Sequence, residues 1–363
     1  MEAQVTQTPR TLPASGLDRP MLGSPTPSRP IPLAILVLLL IAVLAASILG
    51  SLAAGAVHVP LRALIAHQAL TPMDRIILFD LRLPRVLASA LIGAALATAG
   101  LLFQGLFRNP MADPYVIGSS GGAVVGACIG ILFFSQAAFL GFSATALLAF
   151  AGSVVTMLLV YTLARGTGGT NVVALLLAGF AVSTMLMNST YLFELLDPDP
   201  ARSSAILETW LRGTVGTPGW PQLAVTSSLF AIAAVIAIPL MRRLNTLALG
   251  DEYAQQLGLR IERSRLAIIL TGSLLTAVAV SLGGLIGFAG LIVPHAARML
   301  LGPDHVRLLP VTALAGAIFL VAADTLARTV LSPRELPVGV LMVFVGGPFF
   351  LYLLRKSKQE YGL

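Results

Sequence analysis

Ten apolar stretches separated by short polar segments constrain this chain of 363 residues more than any other feature. They fall at about 31–49, 84–106, 113–134, 143–164, 171–192, 221–241, 266–285, 287–301, 308–330 and 337–354. A helix needs about 20 apolar residues to cross a bilayer, and it satisfies its own backbone hydrogen bonds where water is absent. We therefore predict an all-α, polytopic membrane protein with about ten transmembrane helices per subunit.

The composition agrees with this fold class and excludes others. Hydrophobic residues make up 56% of the chain and charged residues 11%, whereas ordinary soluble domains carry about 25% charged residues. The formal charge of +7 does not indicate nucleic-acid binding, because the basic residues form no stripe with aromatic residues between them. Cys128 is the only cysteine, so the chain cannot form an internal disulfide.

The distribution of basic residues predicts the orientation of the helices. Segments on the same side as the two termini hold fifteen of the 23 Lys and Arg residues. Cytoplasmic loops collect basic residues, so we predict that both termini are cytoplasmic. The other eight lie in segments predicted to be outside, or at the ends of their helices: Arg62, Arg75, Arg82, Arg85, Arg202, Arg212, Arg328 and Arg334.

The chain divides into one large domain and two tails. Residues 1–30 are polar, contain six prolines and show no periodicity, which predicts a disordered cytoplasmic tail. The ten-span domain covers 31–355, and 356–363 form a second cytoplasmic tail. A signal peptide is the alternative for the N-terminal region. An uncleaved first span is favoured, because the polar lead and the apolar stretch at 31–49 are both long for a signal peptide.

Glycine spacing suggests an internal repeat. Gly93 and Gly105 are twelve residues apart in span two, as are Gly272 and Gly284 in span seven. The two spans run in opposite directions in the predicted topology. We therefore predict that spans two to five and seven to ten are inverted repeats, as in many transporters.

The chain lacks the motifs of the common hydrolytic reactions. It contains no G-x-x-x-x-G-K-[ST] motif, and no lysine precedes Lys356, so it cannot hydrolyse ATP by P-loop chemistry. Its four histidines are scattered and have no metal-ligand spacing. We expect no catalytic residue, no metal and no cofactor bound by this chain. Uphill transport would draw its energy from a partner or an ion gradient.

Two polar interruptions could carry function. The segment Arg108-Asn-Pro-Met-Ala-Asp-Pro114 joins spans two and three. It is either a tight hairpin or a polar constriction at the inner end of a pathway, with Asp113 capping span three. Further along, four glycines lie within Gly283–Gly290, followed by Pro294 and His295. They are expected to break the helix at membrane depth, and His295 is either packed or a proton relay.

Two further stretches carry charges. Asp324 and Arg328 are four residues apart near the end of span nine, where they could neutralise each other or where Arg328 could reach a partner. The stretch 244–264 reads as two short amphipathic helices, one of which starts at Asp251 and Glu252 and ends at Gly258. These helices could lie on the membrane surface or form a docking platform for a soluble partner.

A series of motifs in order from about residue 60 to 355 resembles the permease subunits of ABC importers for iron chelates and cobalamin. The motifs are Arg82-Leu-Pro-Arg85, Gln104-Gly, Asn109-Pro-Met-Ala-Asp-Pro114, Leu249-Gly-Asp-Glu, Leu257-Gly, Gly287-Phe-Ala-Gly-Leu-Ile-Val-Pro-His-Ala-Ala-Arg298, Gly302-Pro-Asp-His305, Ala323-Asp-Thr-Leu-Ala-Arg328, Glu335-Leu-Pro-Val-Gly339 and Gly347-Pro-Phe-Phe350. One departure is Gly284-Leu, where the family usually has Gly-Pro.

The resemblance implies an assembly in the bacterial inner membrane. It would contain two copies of this chain, with the translocation path on their axis, and two ATP-binding subunits that bind ATP and magnesium. A periplasmic binding protein would deliver the substrate.

The resemblance also implies roles for individual residues. A cytoplasmic gate would comprise Asn109, Met111, Thr170 and Asn171. The binding protein would dock on Arg82, Arg85 and Arg328. ATPase coupling would involve Leu249, Gly250, Asp251, Glu252, Leu257 and Gly258. The structural motif residues would be Pro110, Asp113, Pro114, Gly287, Gly290, Pro294, His295 and Asp324.

Two alternatives remain open at this point. An ion-coupled secondary transporter would use Asp324, Arg328 and His295, and it would need no second gene product. For an ATP-driven importer, the expected substrate is an iron chelate such as haem or a ferric siderophore, with cobalamin as the alternative. Spans five, eight and ten are expected to line the path.

Overall fold

A computed structural model of the chain describes residues 32–55, 71–134, 137–139, 142–166, 169–197 and 199–361. These residues form twelve α-helices and two small hairpins. The helices are α1 (Leu33–Ala53), α2 (Pro72–Phe107), α3 (Ser119–Phe134), α4 (Ala144–Ala164), α5 (Val172–Glu194), α6 (Pro200–Leu211), α7 (Trp220–Ala248), α8 (Asp251–Gln256), α9 (Ile261–Gly283), α10 (Ala289–Leu301), α11 (His305–Thr329) and α12 (Val338–Tyr361). The antiparallel hairpins pair β1 (Ala138–Phe139) with β2 (Phe142–Ser143) and β3 (Arg165–Gly166) with β4 (Gly169–Thr170).

Ten of these helices correspond in order to the ten predicted spans, and the all-α polytopic fold is confirmed. Seven of them are long and apolar enough to cross a membrane by themselves. The other three, α3, α10 and α12, have shorter apolar parts. Helix α3 has 16 residues and α10 has 13. The two short helices hold corresponding places in the two predicted repeats, because each follows the long first helix of its half. The chain is a multi-pass membrane protein.

Several predicted boundaries were wrong. Helix α2 begins at Pro72 instead of about residue 84, and it contains a π-helical stretch at Ile76–Arg82. The polar segment 193–220 contains the additional helix α6. The stretch 244–264 contains only one short helix, α8, because α7 and α9 extend into it from either side.

The structure covers only one of the two predicted tails. The N-terminal tail at 1–30 lies outside the described residues. At the other end, helix α12 continues through most of the segment that was predicted as a tail, as far as Tyr361.

Helix α2 lies at the centre of the fold. In its most apolar stretch 89% of the residues are buried, and it packs against α7, α9, α10 and α11. A helix surrounded by other helices has no polar face to present to water, which agrees with its run of Ala, Gly and Leu. This helix therefore fixes the positions of the elements around it.

Glycines allow the neighbours of α2 to approach its backbone. A Cβ atom at Gly93 would collide with the carbonyl oxygen of Gly316 in α11, and one at Gly100 would collide with that of Gly290 in α10. Helices in lipid associate mainly through such close van der Waals contact between small residues. The glycines are thus packing positions, and they bring the interrupted region before α10 against α2.

The polar connections gather at the two ends of the bundle, as the predicted topology requires. One end, here called the Arg265 end, holds Arg108, Thr170, Asp251 and Arg265. The opposite end, here called the Arg85 end, joins Arg85 to the far ends of α1 and α11. Each end has its own network of charged groups.

We predict that Gly93→Ala destabilises the protein by about 1–3 kcal/mol, because the added methyl group forces α2 and α11 apart. Gly50→Ala is the matched control, since a Cβ at this helical glycine would have no atom within 4 Å. It should leave stability unchanged or raise it by up to about 1 kcal/mol. Unfolding of the purified variants in detergent measures both; equal stability of the two variants would contradict the packing role.

Candidate functional sites at the two ends of the bundle

At the Arg265 end, one carboxylate joins two arginines from different helices. Asp251 at the start of α8 accepts hydrogen bonds from Arg108 Nη2 at 2.8 Å and from Arg265 Nη2 at 2.6 Å. Arg108 also donates to the carbonyl of Leu247 at the end of α7, at 2.5 Å. These bonds tie α8 to the end of α2 and to the start of α9.

The same arginine reaches the hairpin between α4 and α5. Arg265 Nη1 donates to the carbonyl of Thr170 at 2.8 Å. Glu262, one turn before Arg265 in α9, accepts from the Thr170 backbone N–H at 3.0 Å and from its hydroxyl at 2.7 Å. Thr170 is therefore held through its backbone and its side chain, and it is buried at 3% exposure.

Two of the four predicted gate residues lie in this hairpin connection. Thr170 lies in β4, opposite Arg165 of β3. Asn171 follows it and caps α5, because its side-chain oxygen accepts from the backbone N–H groups of Val173 and Ala174 at 2.8 and 3.2 Å. A polar N-cap residue of this kind sets the start of the helix.

The other two predicted gate residues lie in the turn after α2. Helix α2 ends at Phe107, and Arg108 adopts a left-handed conformation with φ of 49°. Asn109 Oδ1 then accepts from the backbone N–H of Met111 at 2.9 Å, which closes a local turn. Asn109 is exposed and Met111 is partly buried.

The rest of this connection folds back into the protein. The Asp113 side chain accepts from the backbone N–H of Tyr115, so it caps the 3₁₀ turn Pro114–Ile117, whereas it was predicted to cap span three itself. The ring of Pro114 lies against Gly290, where a Cβ would approach Pro114 Cγ to 2.5 Å. The connection is tight, and Pro110 lies in the turn that begins it.

Exposed apolar side chains lie in and around helix α8. Tyr253 within the helix is 65% exposed, and Leu249 before it and Leu257 after it are 62% and 68% exposed. Gly250 precedes the helix with φ of 112°, and Glu252 in its first turn is exposed.

Gly258 ends α8 as predicted. Its φ is 80°, its N–H donates to Gln255, and the N–H of Leu259 donates to Ala254. This is the Schellman pattern, which needs a left-handed residue at this position.

The helix interruption before α10 differs in detail from the prediction. The break spans 284–288, and Phe288 has φ of 66° before the helix starts. Pro294 and His295 lie inside the continuous helix α10, so the expectation that they break it was wrong. The His295 ring packs edge-on against Phe349 of α12, with 6.3 Å between ring centroids. Gly287 lies in the break, and Gly290 begins the helix against α2.

At the Arg85 end, a fully buried carboxylate lies between two arginines. Asp324 Oδ1 accepts from Arg85 Nη2 at 3.1 Å, and its Oδ2 accepts from Arg328 Nε at 3.1 Å; Asp324 is 0% exposed. Arg85 also pairs with Glu335 at 2.8 Å. A buried charge needs such partners, because removal from water is costly.

The three arginines predicted to dock a binding protein are all engaged within the chain. Arg328 Nη2 donates to the Ser51 hydroxyl at 2.8 Å, and Arg82 Nη1 donates to the carbonyl of Leu52 at 2.8 Å. Arg82 and Arg328 are each 8% exposed. These contacts favour mutual neutralisation of Asp324 and Arg328 as the structural role, and docking stays a prediction.

Sequence reasoning missed several members of these networks. Ser51 and Glu335 join the Arg85 end from positions far away in the chain, and Glu262 and Arg265 join the Arg265 end. The only available sequence signal was the spacing of Glu262 and Arg265 within the first turns of one helix, which allows an ion pair. Contacts across about 250 residues leave no such signal.

A third polar group connects α7 with the start of α11. Asn245 Nδ2 donates to Asp304 Oδ1 at 2.7 Å, and Asn245 Oδ1 lies 2.7 Å from His305 Nδ1. The bond from Asn245, together with the backbone N–H of Val306, holds the pKa of the Asp304 carboxyl below its ordinary value. Asp304 is therefore ionised at neutral pH as the cap of α11.

Comparisons with known proteins agree on the kind of molecule. Residues 38–356 match the model of the FecCD transport family. The hemin transport system permease protein HmuU of Yersinia pestis is 39% identical over 326 residues, which cover 89% of this chain and 95% of that protein. The cobalamin import system permease protein BtuC of Halobacterium salinarum is 41% identical over 281 residues, which cover 77% and 74% of the two chains.

A solved structure with a similar fold is also a transporter. It is an inward-facing conformation of a proposed metal-chelate type ABC transporter, with a TM-score of 0.78 and 30% sequence identity. The match covers 89% of this chain and 99% of the other.

We predict that Asp324→Asn destabilises the protein by about 3–5 kcal/mol, because two largely buried arginines lose their shared counter-ion. Glu335→Gln removes a partner of Arg85 that is 51% exposed, and it should cost at most about 1 kcal/mol. Thermal unfolding in detergent compares the two variants. An Asp324→Asn protein as stable as Glu335→Gln would refute the structural role of this carboxylate.

Proposed function

Since the chain belongs to the FecCD transport family, we propose that it is the permease subunit of an ATP-driven importer that moves an iron chelate into the cell. Its relatives include permease subunits of ABC importers for hemin and cobalamin. The chain has no ATP-binding motif of its own. A separate ATP-binding subunit, which holds ATP and magnesium, would supply the energy.

The hydrogen-bonded network at the Arg265 end is the observation that carries this proposal. It runs from Asp251 in α8 through Arg265 in α9 to Thr170 in the hairpin between α4 and α5. A movement of α8 would thus be transmitted to that hairpin through two charge-assisted bonds, which are stronger than neutral ones. The network links the proposed ATPase dock to the proposed gate.

The exposed residues in and around α8 suit a protein partner. Leu249, Tyr253 and Leu257 are exposed apolar residues, and the neighbouring Glu252 is exposed and charged. Exposed apolar groups rimmed by polar residues are typical of protein interfaces. In the proposed assembly these residues would sit in a cleft of the ATP-binding subunit, with Gly250 and Gly258 setting the two ends of the helix.

In the proposed assembly, the exposed faces of α5 and α12 would pack against a second copy of the chain. Only 11% of the residues in the most apolar stretch of α5 are buried, and Phe180, Met185 and Phe344 are 72%, 73% and 76% exposed. A path between two such subunits would be lined by these faces. Asn109, Met111, Thr170 and Asn171 would narrow it at the cytoplasmic end.

The Arg85 end would face the periplasm. A substrate-binding protein would dock there, with the bacterial inner membrane around the helices and both termini in the cytoplasm. Since Arg82, Arg85 and Arg328 are engaged within the chain, docking through them would require that they exchange partners. Exposed Arg334, beside Glu335 on the same side, is available without such an exchange.

Uptake by the reconstituted complex tests the function. Proteoliposomes with the cognate ATP-binding subunit should accumulate haem or a ferric siderophore when ATP and the binding protein are present, and an uncoupler should have no effect. Preferential uptake of cobalamin would show that cobalamin, and not an iron chelate, is the substrate. Uptake that needs no ATP-binding subunit and stops with an uncoupler would establish the ion-coupled alternative.

We predict that Arg265→Gln uncouples ATP hydrolysis from transport. The variant loses the bonds to Asp251 and Thr170, so uptake should fall about tenfold while the complex still hydrolyses ATP. Arg307→Gln is the control, because this exposed arginine at the same end carries the same charge. Uptake and phosphate release are measured in parallel for both variants, which gives the ratio of transport to ATP hydrolysis. Equal ratios of uptake to hydrolysis in both variants would contradict the coupling role.

A further inference from the structure

A cavity of about 980 Å³ lies at the periphery of the bundle, between α1, α10 and α11. None of the residues in the most apolar stretch of α1 is buried, and this helix packs mainly against α11. The faces that would pack against a second copy of the chain belong to α5 and α12. The cavity would therefore face the surrounding lipid.

Rows of side chains at helical spacing form the walls of the cavity. The rows comprise Leu33, Leu36 and Leu40 of α1, Val311, Ala315 and Phe319 of α11, and apolar residues between Ile292 and Leu301 of α10. Residues three or four positions apart share one side of a helix, so each row runs along the cavity. Continuous apolar walls of this kind suit a long, apolar ligand.

The two outer helices are joined at only one end of the bundle. At the Arg85 end, the Ser51 hydroxyl of α1 accepts from Thr325 at 2.7 Å and from Arg328 at 2.8 Å. At the Arg265 end, no hydrogen bond joins α1 to α11 among the described residues. The cavity lies between the two helices at this second end, with α10 as its third wall.

The cavity has about the depth of one lipid leaflet. Along α11 it extends from Arg307 to Phe319, and helical geometry makes this distance about 18 Å. Half of the hydrocarbon core of a bilayer measures about 15 Å. An acyl chain that entered beside Arg307 would therefore reach the middle of the membrane near Phe319.

Arg307 places a positive charge at the mouth of the cavity. It is the only charged residue among the described residues that line the cavity, and its side chain is 61% exposed. Its one ion pair within the described part of the chain joins Nε to Asp304 Oδ2 at 3.7 Å, which is longer than a hydrogen bond. The guanidinium group therefore keeps N–H donors for an anion.

Asp304 is engaged elsewhere. Its Oδ1 accepts from Asn245 Nδ2 at 2.7 Å and from the backbone N–H of Val306 at 3.0 Å, which holds it as the cap of α11. Arg307 lies in the first turn of the same helix, where the helix dipole favours negative charge and not positive charge. An anion at Arg307 would thus complement both the side chain and the helix.

We propose that this cavity binds an anionic phospholipid, with an acyl chain between α1, α10 and α11 and the headgroup phosphate at Arg307. A zwitterionic headgroup also carries an ammonium group, for which the described lining offers no carboxylate. The lipid would tie the Arg265 end of α1 to the bundle. This role goes beyond the proposed transport function, because Arg307 lies outside the network of Asp251, Arg265 and Thr170.

Native mass spectrometry tests the proposal on the full chain, after removal of lipid and incubation with equal amounts of phosphatidylglycerol and phosphatidylcholine that have identical acyl chains. The expected result is one retained lipid per chain, with phosphatidylglycerol preferred by about tenfold or more. Equal retention of the two lipids would overturn the anionic assignment, and retention of neither would overturn the site. Displacement by glycerol phosphate without acyl chains would overturn the role of the apolar cavity.

Two variants with matched controls locate the site. Arg307→Gln should lose the preference for phosphatidylglycerol, whereas Arg263→Gln, which removes an exposed arginine of α9, should keep it. Ala315→Trp should lower the retention of both lipids by filling the cavity while all charges remain, and Ala231→Trp at an exposed alanine of α7 should not. Thermal unfolding identifies any variant that fails to fold. Lipid retention that is the same in a folded variant and its control would refute the site.

The segment 1–30 is the alternative occupant, because it leads into the first residues of α1, which line the cavity. A chain that lacks this segment separates the two occupants in the same measurement. Equal lipid retention with and without the segment is the expected result. Retention of lipid only after its removal would identify the segment as the occupant and overturn the proposal.

Discussion

Close contact between helix backbones is the constraint on which the rest of this structure depends. In lipid, apolar helices gain little free energy by burying apolar surface against each other, because lipid tails are equally apolar. They associate mainly through close van der Waals packing. Gly93 and Gly100 of α2 meet Gly316 and Gly290 at backbone distance. Because α2 is held in this way, the start of α10 is brought against the centre of the bundle. The turn after Phe107 then takes its position from the same helix.

The two ends of the bundle use charge differently. At the Arg85 end, Asp324 is fully buried between two arginines, an arrangement in which loss of one partner is strongly destabilising. At the Arg265 end, Asp251 is 44% exposed and Glu262 is 43% exposed. Partly solvated pairs exchange partners at lower cost. The first end is therefore suited to hold α1, α2 and α11 together, and the second is suited to move with a partner.

Prediction from the sequence succeeded where a local pattern decides the outcome. The order of the ten apolar helices follows from runs of apolar residues, and the end of α8 at Gly258 follows from the left-handed conformation that a helix C-terminus needs. Prediction failed at Pro294 and His295. Pro294 lacks the N–H that would bond the Gly290 carbonyl within α10, but that carbonyl accepts a hydrogen bond from Gln104 Nε2 of α2 instead. Prediction also failed for the stretch 244–264, where transmembrane helices extend beyond their apolar parts.

The sequence by itself determined the fold class, the order of the apolar helices and the family, because hydrophobic length and contiguous motifs are properties of neighbouring residues. Only the tertiary structure decided which polar groups meet. Arg85 finds Asp324 and Glu335, and Arg265 finds Asp251 and Thr170. Such pairings depend on how separate helices are oriented, and a linear sequence carries no direct record of distances in space.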